Sequence, residues 1–200
     1  MPETSPPLGR RERNKQAKLD RIVAAAGELF SEHGVDDVTT QQIADKADIG
    51  AGTLFLYAKS KGELLLMVQN SSYAESLVRG KAAAETIPDI LQAVMAILGE
   101  VVHCNRVQVE NGRSYLREMV FGDPEEPHRR EALGLSLQTE EAVAVVLQRD
   151  QHVDASKAAT LAQVISAIMF VTMSVTGNAT KSIEELLAEI STQVRVVLQR

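Results

Sequence analysis
Apolar residues recur at three- and four-residue steps along almost the whole of this 200-residue chain, and nowhere do they alternate as a half-buried strand requires. Leu19, Ile22, Val23, Ala26, Leu29 and Phe30 make one such face and predict a first helix that stops at His33-Gly34, where glycine suits a C-terminal cap. Over residues 39–61, TTQQIADKADIGAGTLFLYAKSK, the spacing becomes helix, tight turn, helix. Ile43, Ala47, Ile49, Leu54 and Tyr57 fall where two short helices bury side chains against each other, and Ala44 falls where they cross. Thr39 is placed to cap the first of them, with Gln42 closing a capping box. Asp48 occupies the turn, and Asp tolerates positive φ better than most residues.

Ser60 and Glu63 open a further helix through Leu64, Leu65, Met67 and Val68 towards Lys81. Beyond Thr86 the pattern predicts helices at about 87–103, 106–121, 127–150, 155–177 and 182–199. Pro88 suits a first turn, Gly122-Asp123-Pro124 is a break, and Gly177-Asn178 is a stop. The expected fold is all-α, with about nine helices. Its units are a basic N-terminal arm over 1–14, a helix-turn-helix domain over 15–61 and a helical domain over 62–200.

A second short helix over 51–58 fits a DNA major groove. The formal net charge of −6 argues against nucleic acid until it is divided along the chain. Residues 1–61 are neutral overall, so the acidity belongs to the second part, while residues 9–21 hold six basic side chains against two acidic ones. Local field governs binding. The plain alternative is that these charges only solubilise a tail.

The residues Thr39-Thr40, Ile43-Ala44, Ala47, Ile49, Thr53-Leu54, Tyr57 and Lys61, followed by Glu63-Leu64-Leu65, resemble the tetracycline-repressor (TetR) family of bacterial one-component regulators. The resemblance covers residues 17–66. Two positions depart from the family pattern: Phe55 replaces a common tyrosine and Ala58 a common phenylalanine. The resemblance implies a homodimeric repressor bound to an inverted-repeat operator in double-stranded DNA and released by a small lipophilic effector. The alternative is a ligand-independent architectural or protein-partnered DNA binder with a filled core.

On this reading Thr39, Thr40, Gln41, Gly50, Ala51, Gly52, Thr53, Phe55, Tyr57, Lys59 and Lys61 face DNA. Thr40, Tyr57 and Lys61 are expected on phosphates. The start of the second helix is poor in hydrogen-bonding side chains, so Arg10, Arg11 and Arg13 are expected to reach a minor groove from a flexible arm.

Residues 161–175, LAQVISAIMFVTMSV, are apolar on nearly all sides, and residues 183–198 carry a broad apolar face. Leu161, Ile165, Ile168, Leu186, Leu187, Ile190, Val194 and Val197 are therefore expected in a four-helix dimer seam. Met95, Leu98, Val102, Tyr115, Met119, Met169, Phe170 and Met173, with His103, Glu118 and Ser166 as polar groups, are the candidate effector pocket. Such a composition also suits an ordinary loose core.

Catalytic chemistry finds little to stand on. His33, His103, His128 and His152 are scattered, no serine sits in a nucleophile elbow, and no strand feeds a phosphate loop, so no enzyme activity, metal or cofactor is expected. The single cysteine, Cys104, fits a reducing compartment. No signal-like segment opens the chain and no run is expected to span a membrane, so a cytoplasmic protein is expected.

Overall fold
The computed structural model describes residues 9–199. Among them are nine α-helices, one short 3-10 turn and no strand. The helices are α1 (Arg10–His33), α2 (Thr40–Lys46), α3 (Ala51–Leu54), α4 (Lys61–Glu85) and α5 (Ile90–Arg106). They are followed by α6 (Val109–Phe121), α7 (Pro127–Leu147), α8 (Ala155–Ser174) and α9 (Ile183–Leu198).

Local chemistry sets the reading unit. The Thr39 hydroxyl accepts the Gln42 amide at 3.2 Å and the Gln42 side chain accepts the Thr39 amide at 2.8 Å, so both ends of the capping box close. Asp48 sits at φ 53°, the left-handed region that the turn between α2 and α3 demands. Ile22, Ala26, Phe30, Ile43, Ala44 and Leu54 are all but fully buried in the small core, and Ala58 joins them. The third helix is shorter than the expected 51–58. Regular α-structure ends at Leu54, and tighter bonds such as Leu56 N–H to Thr53 O at 3.1 Å carry the turn on to Ala58.

α4 starts at the Ser60 cap and runs 25 residues, past Lys81. Near its far end Gly80 lies so close to α5 that a Cβ there would stand 3.0 Å from Ile97 Cα. The middle of α4 is tied by polar bonds. The Asn70 amide donates to His128 O (2.8 Å) and Glu131 Oε2 (2.9 Å), and its oxygen accepts the Tyr115 hydroxyl at 2.9 Å. Asp89 caps α5, which puts Pro88 just ahead of that helix rather than in its first turn. Pro127 does open a first turn, that of α7.

α8 packs between α7 and α9. Its most apolar 18-residue stretch has a mean hydropathy of 1.4, long and apolar enough to meet the length and composition of a membrane span. That overturns the expectation that no run approaches one, and its buried face explains the apolarity: Ala158, Ala162, Ile165 and Met169 serve the core. Ile165, Leu186, Ile190 and Val194 are wholly enclosed within their own subunit, at 0% exposure. Of the residues expected in a dimer seam, Leu161, Ile168, Leu187 and Val197 keep part of their surface. Val164 and Val171 on α8 and Val175 just past its end, which the pattern did not single out, stand exposed.

Candidate DNA interface and effector cavity
Gly50, Ala51, Gly52 and Thr53 open the reading helix on its outer side. A Cβ added at either glycine would meet nothing within 4 Å, so the backbone there is bare to an approaching surface. Thr39, Gln41, Phe55 and Lys59 are exposed, while Thr40, Ala51, Thr53, Tyr57 and Lys61 are partly covered. The Gln41 amide donates to Asp45 at 2.7 Å. Leu56, absent from the expected set, is 83% exposed in the same turn. Its apolar side chain gives no polar signal in the sequence, yet suits contact with a thymine methyl group.

Two expectations need correction. Arg10, Arg11 and Arg13 stand on the first turn of α1 and not on a flexible arm, because helical bonding already begins with Arg13 N–H to Gly9 O at 3.0 Å. The rest of the proposed arm, residues 1–8, lies outside the described residues. The Lys61 ammonium is also engaged: it donates to Val35 O at 2.8 Å and Asp36 O at 3.0 Å, tying the start of α4 to the α1–α2 loop. An ammonium has three donors, so one remains for a phosphate.

The start of α6 meets the end of α1 through a buried asparagine. Asn111 donates to Phe30 O at 2.7 Å and accepts the Val35 amide at 2.7 Å, while its own amide is capped by Gln108 at 2.6 Å. A Cβ at Gly34 would stand 2.9 Å from the Gln108 side chain, and Gly34 holds φ 80°. Further along α6, Glu118 rests against Gly62 in the first turn of α4. One helix therefore touches both ends of the reading unit.

The inner face of α6 meets a cavity in the bundle. Six of the expected pocket residues line it: Tyr115, Met119, Ser166, Met169, Phe170 and Met173. Gln69, Tyr73, Val101, Cys104, Asn105, Leu116 and Ser136 complete the wall. Met95, Leu98, Val102, His103 and Glu118 do not line it. Leu98 and Val102 are packed solid in the core, and His103 points to solvent. The space open to a water-sized sphere is only about 30 Å³, enough for one or two waters. A larger guest has to displace side chains, and three methionines in the wall are the ones that yield most readily.

The tyrosines of this wall are held neutral. Burial pushes the Tyr73 hydroxyl up to about 12, partly offset by its 3.0 Å bond with Thr139, and burial also pushes Tyr115 up. Their rings meet edge to face at 6.5 Å. Burial raises the Cys104 thiol as well, against the pull of a Ser76 hydrogen bond. No group of three His, Cys, Asp or Glu among the described residues is arranged to hold a metal ion.

A short helix open on its outer side, bonded through α4 and α6 to a bundle with a cavity, defines the fold of a helix-turn-helix transcriptional regulator. Residues 22–68 match the family model of bacterial regulatory proteins of the tetR family. No curated protein sequence matches the chain. Solved structures share its fold. Thermus thermophilus FadR, a TetR-family transcriptional repressor in complex with lauroyl-CoA, is 19% identical with a TM-score of 0.69, over 90% of this chain and 92% of that one. A TetR transcriptional regulator from Rhodococcus sp. RHA1 is 16% identical with a TM-score of 0.66, over 92% and 97% of the two chains. The fatty acid degradation regulator FadR from Bacillus halodurans is 14% identical with a TM-score of 0.62, over 94% and 96%.

Proposed function
We propose that the protein is a homodimeric repressor that binds an inverted-repeat operator and is released by a small lipophilic effector in the α4–α8 cavity. In this reading residues 15–61 form the DNA-binding domain and residues 62–200 the effector and dimerisation domain. The carrying observation is α6, which lines the cavity with Tyr115, Leu116 and Met119 and holds the end of α1 with Asn111. A guest that displaces the first three side chains acts on the helix that positions the reading unit.

An effector shifts DNA affinity only by its preference for one arrangement over the other, typically ~1–3 kcal/mol, and DNA must weaken effector binding by the same factor. The dimer is supported by the outward valines Val164 and Val171 of α8, Val175 just past its end and Val196 of α9, which leave apolar surface in water. A two-fold protein reads two half-sites. Selection of bound sequences from random duplex DNA is the test. An inverted repeat is expected, and recovery of a single unrepeated site would reject the dimeric reading.

The near-filled cavity favours a second reading, in which the bundle is only an assembly surface and no effector exists. Thermal melting against a panel of lipophilic compounds separates the two, since a ligand of the native state raises Tm by mass action.

A further inference from the structure
One face of α1 changes its chemistry partway along the helix. Ile22, Ala25 and Leu29 lie on the side that packs on α2 and α4, the first two of them buried. Counting back from Ile22 by the same alternating steps of four and three gives Lys18, Lys15 and Arg11, so three cations continue the stripe. The core ends where they begin. Every residue from Gly9 to Lys18 is exposed, Leu19 is the first with any cover and Ile22 the first to be buried. At 1.5 Å per residue, Arg10 to Lys18 is a helical overhang ~12 Å long that stands clear of the core.

The root of the overhang is fixed beside the reading helix. Arg21, three residues on from Lys18, pairs at 3.5 Å with Asp48 in the turn that leads into α3. Along the overhang the cations have little to balance them. Lys15 meets Glu12 only at 3.9 Å, with both side chains more than half exposed, and Asp20 already accepts the Gln16 amide at 2.8 Å. Arg10, Arg11 and Lys18 have no ion pair among the described residues. The local arrangement works against the helix it forms. Positive charge at a helix start opposes the macrodipole, Arg11 with Lys15 and Lys15 with Lys18 are like-charged neighbours at four and three residues, and Gly9 offers no side-chain cap. An anionic surface laid along this face offsets both repulsions.

Resting on the reading of the protein as an operator-binding regulator, we infer that Arg11, Lys15 and Lys18 form a rigid strut that lies along DNA phosphates beside the half-site read by α3. Dimensions decide for the backbone and against the minor groove. A helix with its side chains is ~10–12 Å across, whereas the minor groove that a flexible arm would enter is ~6 Å wide. Three cations spread over ~10 Å of helix meet a strand that carries one phosphate per ~3.4 Å of axis, so each has a partner within reach. Phosphate contacts fix register and carry no sequence information. The strut therefore lengthens the footprint of each subunit without adding to the sequence read, and supplies affinity that α3, poor in hydrogen-bonding side chains at its start, lacks.

The test takes the full-length protein and a duplex recovered by the selection described above, with binding read by anisotropy from ~50 to ~200 mM salt. Arg11→Gln with Lys15→Gln and Lys18→Gln should flatten the slope of log K against log salt by about 0.9 per contact, ~2.7 for each subunit bound. Across that range the parent should lose roughly 40-fold more affinity per bound subunit than the variant. The exchange Arg11→Lys, Lys15→Arg and Lys18→Arg should keep the parent slope. All three side chains are exposed, so circular dichroism should show the fold retained. If the triple variant nevertheless proves unstable, Lys18→Gln alone still flattens the slope by about 0.9. Neutral methylphosphonates in place of the phosphates flanking the half-site should weaken the parent and leave the triple glutamine variant unaffected, whichever bases stand in the flank. An unchanged slope would overturn the strut, leaving a solubilising segment and the regulator reading intact. A preference for A·T over G·C flanks that the variant loses would reject it in favour of a groove-bound arm. Failure of the selection to return any bound sequence would remove the regulator reading and the strut together.

Discussion

Replacing Asn111 with alanine removes a side chain that hydrogen-bonds the end of α1 to α6. Phe30 O keeps a partner, because the Gly34 amide already donates to it at 3.0 Å. Val35 N–H is different: its 2.7 Å bond to Asn111 is replaced by nothing, and Val35 is 5% exposed. An orphaned buried donor costs about 1–3 kcal/mol and the lost bonds add to this, so Asn111→Ala should cost about 2–3 kcal/mol. That is a sizeable share of the ~5–15 kcal/mol that holds a typical domain together. For a chain of this length it corresponds to a Tm lower by roughly 5–10 °C. Urea unfolding followed by circular dichroism measures the loss, and hydrogen exchange locates it, with the Val35 amide exchanging faster. Asn111→Asp keeps an acceptor for Val35 but sets a carboxylate against Phe30 O, so it should protect the amide and still loosen the contact. If the bond also transmits the effector signal, DNA affinity of the alanine variant should respond weakly to any effector that releases the parent protein. A wild-type urea midpoint together with unchanged Val35 exchange would refute the reasoning.

Charge on the outer face of α8 should divide the proposed dimer without unfolding the subunit: Val171→Glu, at a site 57% exposed, is expected to give folded monomers in sedimentation, whereas Ile190→Glu, fully enclosed, should unfold the chain. Lys61→Ala removes two bonds to the α1–α2 loop as well as a charge, so it should lower Tm and weaken binding to every DNA sequence alike, the latter read by anisotropy over a salt series. Asp48→Gly relieves a left-handed backbone at the expense of an exposed ion pair with Arg21 at 3.5 Å. It should raise Tm by about 2–4 °C in calorimetry. Tyr73 ionises at about 12 when folded and near 10 when unfolded, so the unfolded chain loses its proton first and stability should fall as pH rises from 10 to 12. Followed by NMR, the Tyr73 ring should therefore lose its proton together with unfolding in that window and not before it.

What the sequence revealed most fully is what short-range chemistry decides. Thr39 with Gln42, Asp48 in its turn, Ser60 with Glu63 ahead of α4, and Gly34 after α1 are each specified within four residues. The cavity depends on which side of a helix meets which neighbour. α6 and α8 bring the expected Tyr115, Met119, Met169 and Met173 into the cavity wall because their inward positions are large and adaptable. Gln69 and Tyr73 of α4 went unread because that helix is buried on several sides and carries no clear stripe. Leu98 and Val102 look the same in sequence whether they face a void or a packed core. Ile165, Leu186, Ile190 and Val194 likewise meet the need to hide apolar surface inside one subunit, and spacing alone does not say whether the cover is a partner or the chain itself. The N-terminal arginines were assigned to an arm because no apolar stripe precedes Leu19, yet helical bonding extends beyond the part of a helix that has a core to face.

The close crossing at Gly80 has a mechanical meaning. Backbone against backbone leaves no compliant side chain between α4 and α5, so that crossing serves as a fulcrum. From Gly80 back to Lys61 the helix is a rigid arm of ~28 Å at 1.5 Å per residue. A swing of ~5° about the fulcrum carries the tip ~2.5 Å, most of one base-pair step along a duplex of 3.4 Å rise. Gln69 and Tyr73, the α4 residues in the cavity wall, sit between fulcrum and tip, so on the proposed function a sub-ångström push there would be geared up on its way to the DNA. Widening the crossing with Gly80→Ala would free the fulcrum and spend the same push on rattling the arm in place of aiming it.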